Sequence, residues 1–377
     1  MRFVLTGSGS GGHFYPLIAI AEALTAGARE RKLLPPEVFL LGPEPYDAGA
    51  LSTSGVSFRR VPAGKLRRYF SLRNITDALK TVLGFFTALW KLFVLYPDAV
   101  MSKGSYTSVP VILAAALLRI PIVIHESDIR PGRANWLAAR FARSIAISWQ
   151  ESAPNFPPEK TVRTGIPLRS RLLQPAPANP RETLGFKTDN QPLILILGGS
   201  QGAERINGLI TASLDELLPQ YAALHQTGEQ HERPVREAAD ALIKDKTFLE
   251  RYSVRGFLSV DALAAALSSA ALIVSRAGSG AIAECALFGK PAILIPIPED
   301  ISHDQRENAY AYARTGAAVV MEEQNLTPSL LAAQIARILG DHALIAHMQK
   351  AAEAFASRDA AQKIATLLID IGYEHEG

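Results

Sequence analysis

Twice along this chain a short aliphatic run ends in a glycine-rich loop that opens a helix. Residues 3–6 run into Gly7-Ser8-Gly9-Ser10-Gly11-Gly12-His13, and residues 193–197 into Gly198-Gly199-Ser200-Gln201-Gly202-Ala203. A buried strand that turns through glycines into a helix opens a β-α-β unit, which commits the chain to parallel sheets with right-handed crossovers. Further strands are expected at residues 38–41, 98–101, 122–125 and 144–148, with helices near 16–28, 77–95, 109–118 and 134–142. A proline-rich stretch at 153–158 interrupts the alternation, which then restarts. Strands follow at 222–226, 254–257, 272–275, 292–296 and 317–321, with helices near 203–218, 260–269, 281–288, 305–315 and 328–340. A length of 377 residues exceeds one ordinary core. Two α/β domains are therefore expected, residues 1–165 and 166–341, with a last helix over 342–377 that returns to the first domain.

The chain is 48% hydrophobic and 20% charged, a balance that folds. Its one cysteine, Cys285, excludes a disulfide framework, a zinc ribbon or an iron–sulfur site within one chain, and reads as a packing residue. No signal peptide is read at the N-terminus, and no run approaches the roughly 18–20 apolar residues of a membrane span, so a cytoplasmic protein is expected. The net charge of +3 hides an asymmetry. Residues 1–165 carry 20 Lys and Arg against 11 Asp and Glu, and the remainder 19 against 25. Much of the excess is local: Arg59, Arg60, Lys65, Arg67, Arg68, Arg73 and Lys80 face only Asp77. Leu79, Val82, Leu83, Phe86, Leu89, Trp90 and Phe93 follow at helical spacing. This segment reads either as a buried amphipathic helix beside solvated arginines or as a surface for anionic lipid headgroups. No recognition element for nucleic acid accompanies the basic residues.

The chemistry-bearing residues gather where strands end. Glycines let a ligand approach the backbone, and a helix N-terminus offers free N–H groups to anions. The glycine loops, one per half, suit a diphosphate held from two sides without metal. His13, at the mouth of the first loop, is either a general base near neutral pH or a brace for the loop. Gly7-x-Gly9-x-x-Gly12 also fits a dinucleotide fingerprint, but Glu44 lies too far along to be its ribose acid. In Ser275-Arg276-Ala277-Gly278-Ser279-Gly280-Ala281-Ile282-Ala283-Glu284, the carboxylate of Glu284, placed in the first turn of a helix, either accepts two ribose hydroxyls or complements the helix dipole. In His303-Asp304-Gln305-Arg306-Glu307-Asn308-Ala309, amide and carboxylate groups either read sugar hydroxyls or cap a helix.

In order and spacing these motifs resemble the MurG family of inverting glycosyltransferases, of glycosyltransferase family 28. The resemblance rests on Gly11-Gly12-His13-x-x-Pro16, His125-Glu126, Gly165-x-Pro167-x-Arg169, Gly198-Gly-Ser-Gln-Gly-Ala, His225-Gln226-x-Gly228, Arg276-x-Gly278 with Glu284, and Gln305-x-x-Asn308-Ala309, and it spans residues 7 to about 320. It implies a GT-B fold, two Rossmann-like domains facing each other across a cleft. It implies transfer of GlcNAc from UDP-GlcNAc to the 4-hydroxyl of MurNAc in undecaprenyl-linked lipid I, giving lipid II for peptidoglycan, at the cytoplasmic face of the plasma membrane. An anionic membrane surface and other cell-wall and division proteins are the further partners implied.

By position, Ser10, Gly11 and Gly12 would face the donor. Arg169 and Ser200, with Gln201 and Gly202, would approach its diphosphate. Leu258 would bind uracil through its backbone, and Arg276 and Ser279–Glu284 would hold the nucleotide. Gln305 and Asn308 would read GlcNAc hydroxyls, and His13, or else Glu126, would deprotonate the acceptor. No metal is required by this reading, with Mg²⁺ allowed as a stimulant. Asp128 stands where the family has Asn, which puts its sugar contact in doubt. Ile166 and the order His303-Asp304-Gln305 also depart from the family. Competing readings are a GT-B transferase with another lipid acceptor such as diacylglycerol, a non-catalytic nucleotide-sugar-binding subunit, and an NAD-dependent dehydrogenase.

Overall fold

A computed structural model of the chain describes residues 1–65, 73–186, 191–199, 203–298 and 304–376. The chain divides into two compact units, Met1–Ser170 with Ser357–Gly377, and Arg171–Ala356. In the first unit seven strands are described: β1 (Arg2–Thr6), β2 (Glu37–Gly42), β3 (Ser57–Arg60), β4 (Ala99–Ser102), β5 (Ile122–Glu126), β6 (Ser144–Ile147) and β7 (Thr161–Arg163). All pair in parallel, in the order β3-β2-β1-β4-β5-β6-β7. The helices are α1 (Gly11–Glu30), α2 (Ala48–Thr53), α3 (Arg73–Leu95), α4 (Val109–Leu117) and α5 (Arg133–Ala138).

Both faces of this sheet are buried, because successive side chains on a strand point to opposite sides. Phe3, Leu5, Val38, Leu40 and Met101 enter one core with the apolar side of α1. Val4, Phe39, Leu41, Val100 and Ile124 enter the other with Ala88 and Leu92 of α3 and Val111 and Ile112 of α4.

The second unit repeats the plan with α6 (Pro180–Thr183), β8 (Leu193–Leu197), α7 (Glu204–Leu217), β9 (Ala222–Gln226), α8 (Glu232–Leu242), β10 (Tyr252–Arg255), α9 (Val260–Ser269), β11 (Ala270–Ser275), α10 (Ser279–Leu287), β12 (Ala292–Leu294), α11 (Asp304–Arg314), β13 (Ala318–Val320), α12 (Pro328–Leu339) and α13 (His342–Phe355). Its parallel sheet runs β10-β9-β8-β11-β12-β13. The last helix, α14 (Ala360–Glu376), packs on α1 in the first unit.

Several elements differ from expectation. The edge strands β3 and β7 were not foreseen: Ser57-Phe58-Arg59-Arg60 is mostly exposed, and Thr161–Arg163 is only three residues. Helix α1 starts at Gly11, five residues before the expected start, and carries Pro16 inside it. Proline has no N–H, so the Gly12 carbonyl loses its helical donor, and the helix bears that cost. The expected single helix over 342–377 is two helices, because Ala356 turns to extended backbone at ψ 134. Its first half belongs to the second unit and its second half to the first. Finally, helix α3 contains a 21-residue stretch, Ile75–Leu95, long and apolar enough to cross a membrane, against the sequence reading that no run approached this length.

Candidate active site

In open parallel sheets ligands bind beyond the carboxyl ends of the strands, where strand order reverses. The first unit reverses between β1 and β4, and the second between β8 and β11. The glycine loops sit at these two switch points.

At the first, the β1 loop leaves through Gly7 at φ +107, where a Cβ would stand 2.4 Å from the Gly104 carbonyl oxygen, so only glycine fits. Ser10 caps α1 by its backbone: its carbonyl accepts the N–H groups of His13 (3.0 Å) and Phe14 (2.8 Å). The N–H groups of Gly11 and Gly12, ahead of the first helical bond, have no partner within the helix. Gly12 is exposed, and a Cβ there would meet nothing within 4 Å. The protein itself does not need glycine at this position, whereas an approaching ligand would. His13 therefore lies in the first turn of α1 and not in the loop before it.

His13 is half-buried, and its Nδ1 lies 2.8 Å from Ser10 Oγ. With the ring proton on Nδ1 donated to Ser10, the Nε2 lone pair can accept a proton. Desolvation, then the charge of Lys103, against a smaller opposing effect of Asp128, brings its pKa down to about 4. The ring is thus neutral at physiological pH, as a general base must be.

Glu126 ends β5. Its Oε1 accepts the Asp128 N–H (3.1 Å), and its Oε2 accepts the Gly132 N–H (3.0 Å) and the Asn135 amide (3.0 Å). Burial, then the Asp128 charge, pushes its pKa up to about 7 despite these bonds. The carboxyl group clasps the loop from 126 to 135. His125 beside it is fully buried, with Nε2 2.9 Å from the Gly165 carbonyl and 3.1 Å from Ser148 Oγ. Burial, then Lys103, holds its pKa well below the usual range. Arg169 belongs to this unit, its guanidinium carbon 4.3 Å over the Tyr15 ring, one helical position past the His13 turn. Ile166 is buried.

Sequence reasoning missed two residues here. Lys103 follows β4 and is 1% exposed, and Asn135, 3% exposed, donates to both the His125 carbonyl and Glu126. A lysine before a glycine at the end of the strand adjoining β1 was the available signal for the first.

At the second switch point, helix α10 begins at Ser279 with Gly278 as its N-cap, and its first bond within the helix runs from the Ile282 N–H to the Gly278 carbonyl at 3.1 Å. A Cβ at Gly280 would meet nothing within 4 Å. Ala281 and Ala283 are half-buried, and Ile282 is buried in the unit. Glu284 is the sixth residue of α10, in its second turn, so the first-turn placement expected from sequence is corrected and the helix-dipole explanation weakens.

Asn308 is fully buried, and its amide donates to Ser279 Oγ at 3.3 Å. Gln305 accepts the Ile297 N–H at 3.3 Å. Arg276 is bound to the buried Glu323 carboxylate and donates to the carbonyls of Ile295 and Pro296, which makes it a brace. Leu258, buried, follows β10 in a loop that Gln226 ties to the glycine loop through the carbonyls of Gly199 (3.1 Å) and Gly256 (3.2 Å). His225 is a second buried brace between Asn207 Oδ1 (3.0 Å) and the Tyr252 hydroxyl (2.7 Å). Ser200, Gln201, Gly202, Arg67, Arg68 and His303 lie outside the described residues. Cys285 is buried, and burial pushes its thiol pKa far up. Among the described residues no group of three or more His, Cys, Asp or Glu side chains could hold a metal ion.

Residues 3–147 match the glycosyltransferase family 28 N-terminal domain and residues 193–364 its C-terminal domain. Among curated proteins, the UDP-N-acetylglucosamine–N-acetylmuramyl-(pentapeptide) pyrophosphoryl-undecaprenol N-acetylglucosamine transferase of Treponema denticola is 35% identical over 344 residues, 87% of this chain and 85% of that one. The protein of the same name from Clostridium kluyveri is 32% identical over 371 residues, 97% and 98% of the two chains. The crystal structure of Acinetobacter baumannii MurG shares the fold, with TM-score 0.71 and 24% identity over 98% of this chain and 99% of that one. A putative UDP-N-acetylglucosamine 2-epimerase from Listeria monocytogenes shares it equally, with TM-score 0.72 and 15% identity over 99% and 96%. The fold alone therefore does not choose between transfer and epimerisation. The two domain matches and the full-length relatives do: the chain belongs to glycosyltransferase family 28.

Proposed function

We infer that this protein transfers GlcNAc from UDP-GlcNAc to the MurNAc sugar of undecaprenyl-diphosphate-linked lipid I, forming lipid II for peptidoglycan synthesis. The observation that carries the reading is the pairing of two relatives of that name, aligned over 87% and 97% of this chain, with the loop into α1 at the first switch point and the start of α10 at the second. His13 is the proposed base. It is neutral at pH 7, and its Nε2 is free once Nδ1 donates to Ser10. Removing the acceptor proton as the C–O bond forms raises the nucleophilicity of the 4-hydroxyl, and inversion follows from attack opposite the leaving UDP. Glu126, with three internal donors on its carboxyl, serves as the loop clasp.

The N-terminal end of α10, the positive end of its helix dipole, supports its use for nucleotide phosphate without a metal ion, with Glu284 on the ribose and Gln305 on the sugar. Leu258 is assigned to the base. Asn308 acts one step back, by holding Ser279.

Helix α3 supports peripheral attachment to the membrane carrying the acceptor. Ile75, Leu79, Val82, Leu83, Phe86, Trp90, Phe93 and Val94 are each more than half exposed along one helical face. Arg59, Arg60 and Lys65 lie exposed in the preceding segment. Inserting such a face into a headgroup layer would remove apolar area from water, at about 25 cal/mol per Å².

The test is transfer of labelled GlcNAc from UDP-GlcNAc to a lipid I analogue, with the anomeric product identified by NMR. A β-linked disaccharide is expected. Release of UDP with epimerised sugar and no disaccharide would overturn the reading.

A further inference from the structure

We propose that Lys103 is a positioning residue for the transfer, its buried ammonium serving as the counter-charge around which His13, Glu126 and Asp128 are assembled. The proposal rests on the transferase reading of this edge.

The geometry is a short relay across three adjacent strand ends. Lys103 N–H donates to the Thr6 carbonyl at 3.0 Å, which fixes the β4 end against the β1 loop. Its neighbour Gly104 lies so close to Asn135 that a Cβ there would stand 3.0 Å from the amide atoms. Asn135 in turn donates to Glu126 at 3.0 Å. Lys103 thus sits between the loop that leads into α1 and its His13 and the loop that Glu126 clasps. It is 1% exposed, and its Nζ has no hydrogen-bond partner among the described residues. A lysine so placed is costly unless charges nearby repay its desolvation. The charges about it are Glu126 and Asp128, which favour its protonated form against burial. The groups that respond to it are His13 on α1, His125 and Glu126 on β5. Around His13 the charged groups are Lys103 and Asp128.

A buried cation holds an imidazole neutral and a carboxyl ionised. Removing it moves both proton affinities upward. The experiment has two arms. In the first, the ring nitrogens of ¹⁵N-histidine-labelled protein are titrated without substrate. Lys103→Met is expected to raise the His13 titration by about half a pH unit or more. If Lys103→Met does not fold, Lys103→Met with Glu126→Gln removes the cation and its counter-ion together, and the same upward shift is expected. In the second arm, kcat/KM for GlcNAc transfer is followed against pH, where Lys103→Met is expected to move the acid limb upward by the same amount. A His13 titration or an acid limb that coincides with the parent's overturns the proposal, and so does a change confined to the acceptor KM, which would make Lys103 a direct contact of the acceptor anion. If the parent protein transfers no GlcNAc, the transferase reading has failed, and the imidazole titration alone decides the role of Lys103.

Discussion

At the scale of single residues His13 and His225 are used in opposite ways. His13 has one ring nitrogen occupied and one to spare, while His225 has both occupied, by Asn207 and Tyr252. Burial lowers the pKa of His225 to about 3. As pH falls below 6.5 the unfolded chain therefore takes up this proton before the folded one does. The stability His225 contributes is complete above pH 6.5 and is lost as pH falls towards about 3. His225→Leu, which strands the Asn207 oxygen and the Tyr252 hydroxyl, should cost about 1–3 kcal/mol at pH 7. The deficit should shrink on acidification to pH 4, as read from urea midpoints, and a deficit independent of pH would show that the ring is not neutral in the fold. Glu284 is predicted to matter for the ligand and not for the fold. Glu284→Ala should weaken UDP-GlcNAc binding by about tenfold, the effect of losing a charged hydrogen bond, with an unchanged melting temperature. Unchanged affinity by calorimetry would remove it from the ribose. The same titration with EDTA present should give the same affinity if no metal bridges the diphosphate.

At the scale of elements, helix α3 is the outlier. An ordinary surface helix buries its apolar stripe, yet this one buries Ala88 and Leu92 and turns Phe86, Trp90 and Phe93 outward. Because these side chains do not pack inside, Phe86→Glu with Trp90→Glu should leave the fold intact and reduce sedimentation with anionic vesicles by about tenfold or more, from the loss of two aromatic anchors. The charge reversals Arg67→Glu and Arg68→Glu should also weaken binding, and most clearly at low salt. Vesicle binding untouched by both pairs would mean that the face serves another partner.

The same scale shows what was legible beforehand. Every interior strand was visible, because a run such as Leu193–Leu197 is apolar on both faces and has nowhere to go but between two helix layers. The edges β3 and β7 were not, since an edge strand needs neither apolar faces nor length. The start of α1 lies ahead of the expected position because proline favours a first helical turn, whereas here glycines begin the helix that Pro16 continues. Strand ends are local in sequence, and the structure places His13 in the first turn of the helix after β1 and Glu126 at the end of β5. Lys103, Asn135 and the bracing role of Arg276 were not read, because each depends on a neighbour nine or more residues away.

At the scale of the whole molecule, the first unit is completed only by the end of the chain. Ile364, Leu368 and Ile369 of α14 are buried in the core that α1 shares with the sheet. Ending the chain at Ala356 would expose the α1 surface they cover, at about 1.5–3 kcal/mol per side chain. Calorimetry should then show the first unit melting earlier, while the second keeps its transition. A single unchanged transition would contradict this division. The charge asymmetry seen in the sequence follows the same division: the basic excess belongs to the unit with the exposed apolar helix.

The proposed transfer turns on one proton acceptor, and the pH dependence of kcat/KM for GlcNAc transfer to a lipid I analogue tests it most directly, because that ratio reports the free enzyme. With His13 as base, kcat/KM should stay level from pH 8 down past pH 6 and fall only towards pH about 4. His13→Gln should lose about 100-fold or more, the ordinary contribution of a positioned base. A parent profile that has already fallen by half at pH about 7 would contradict the account and give the proton to Glu126.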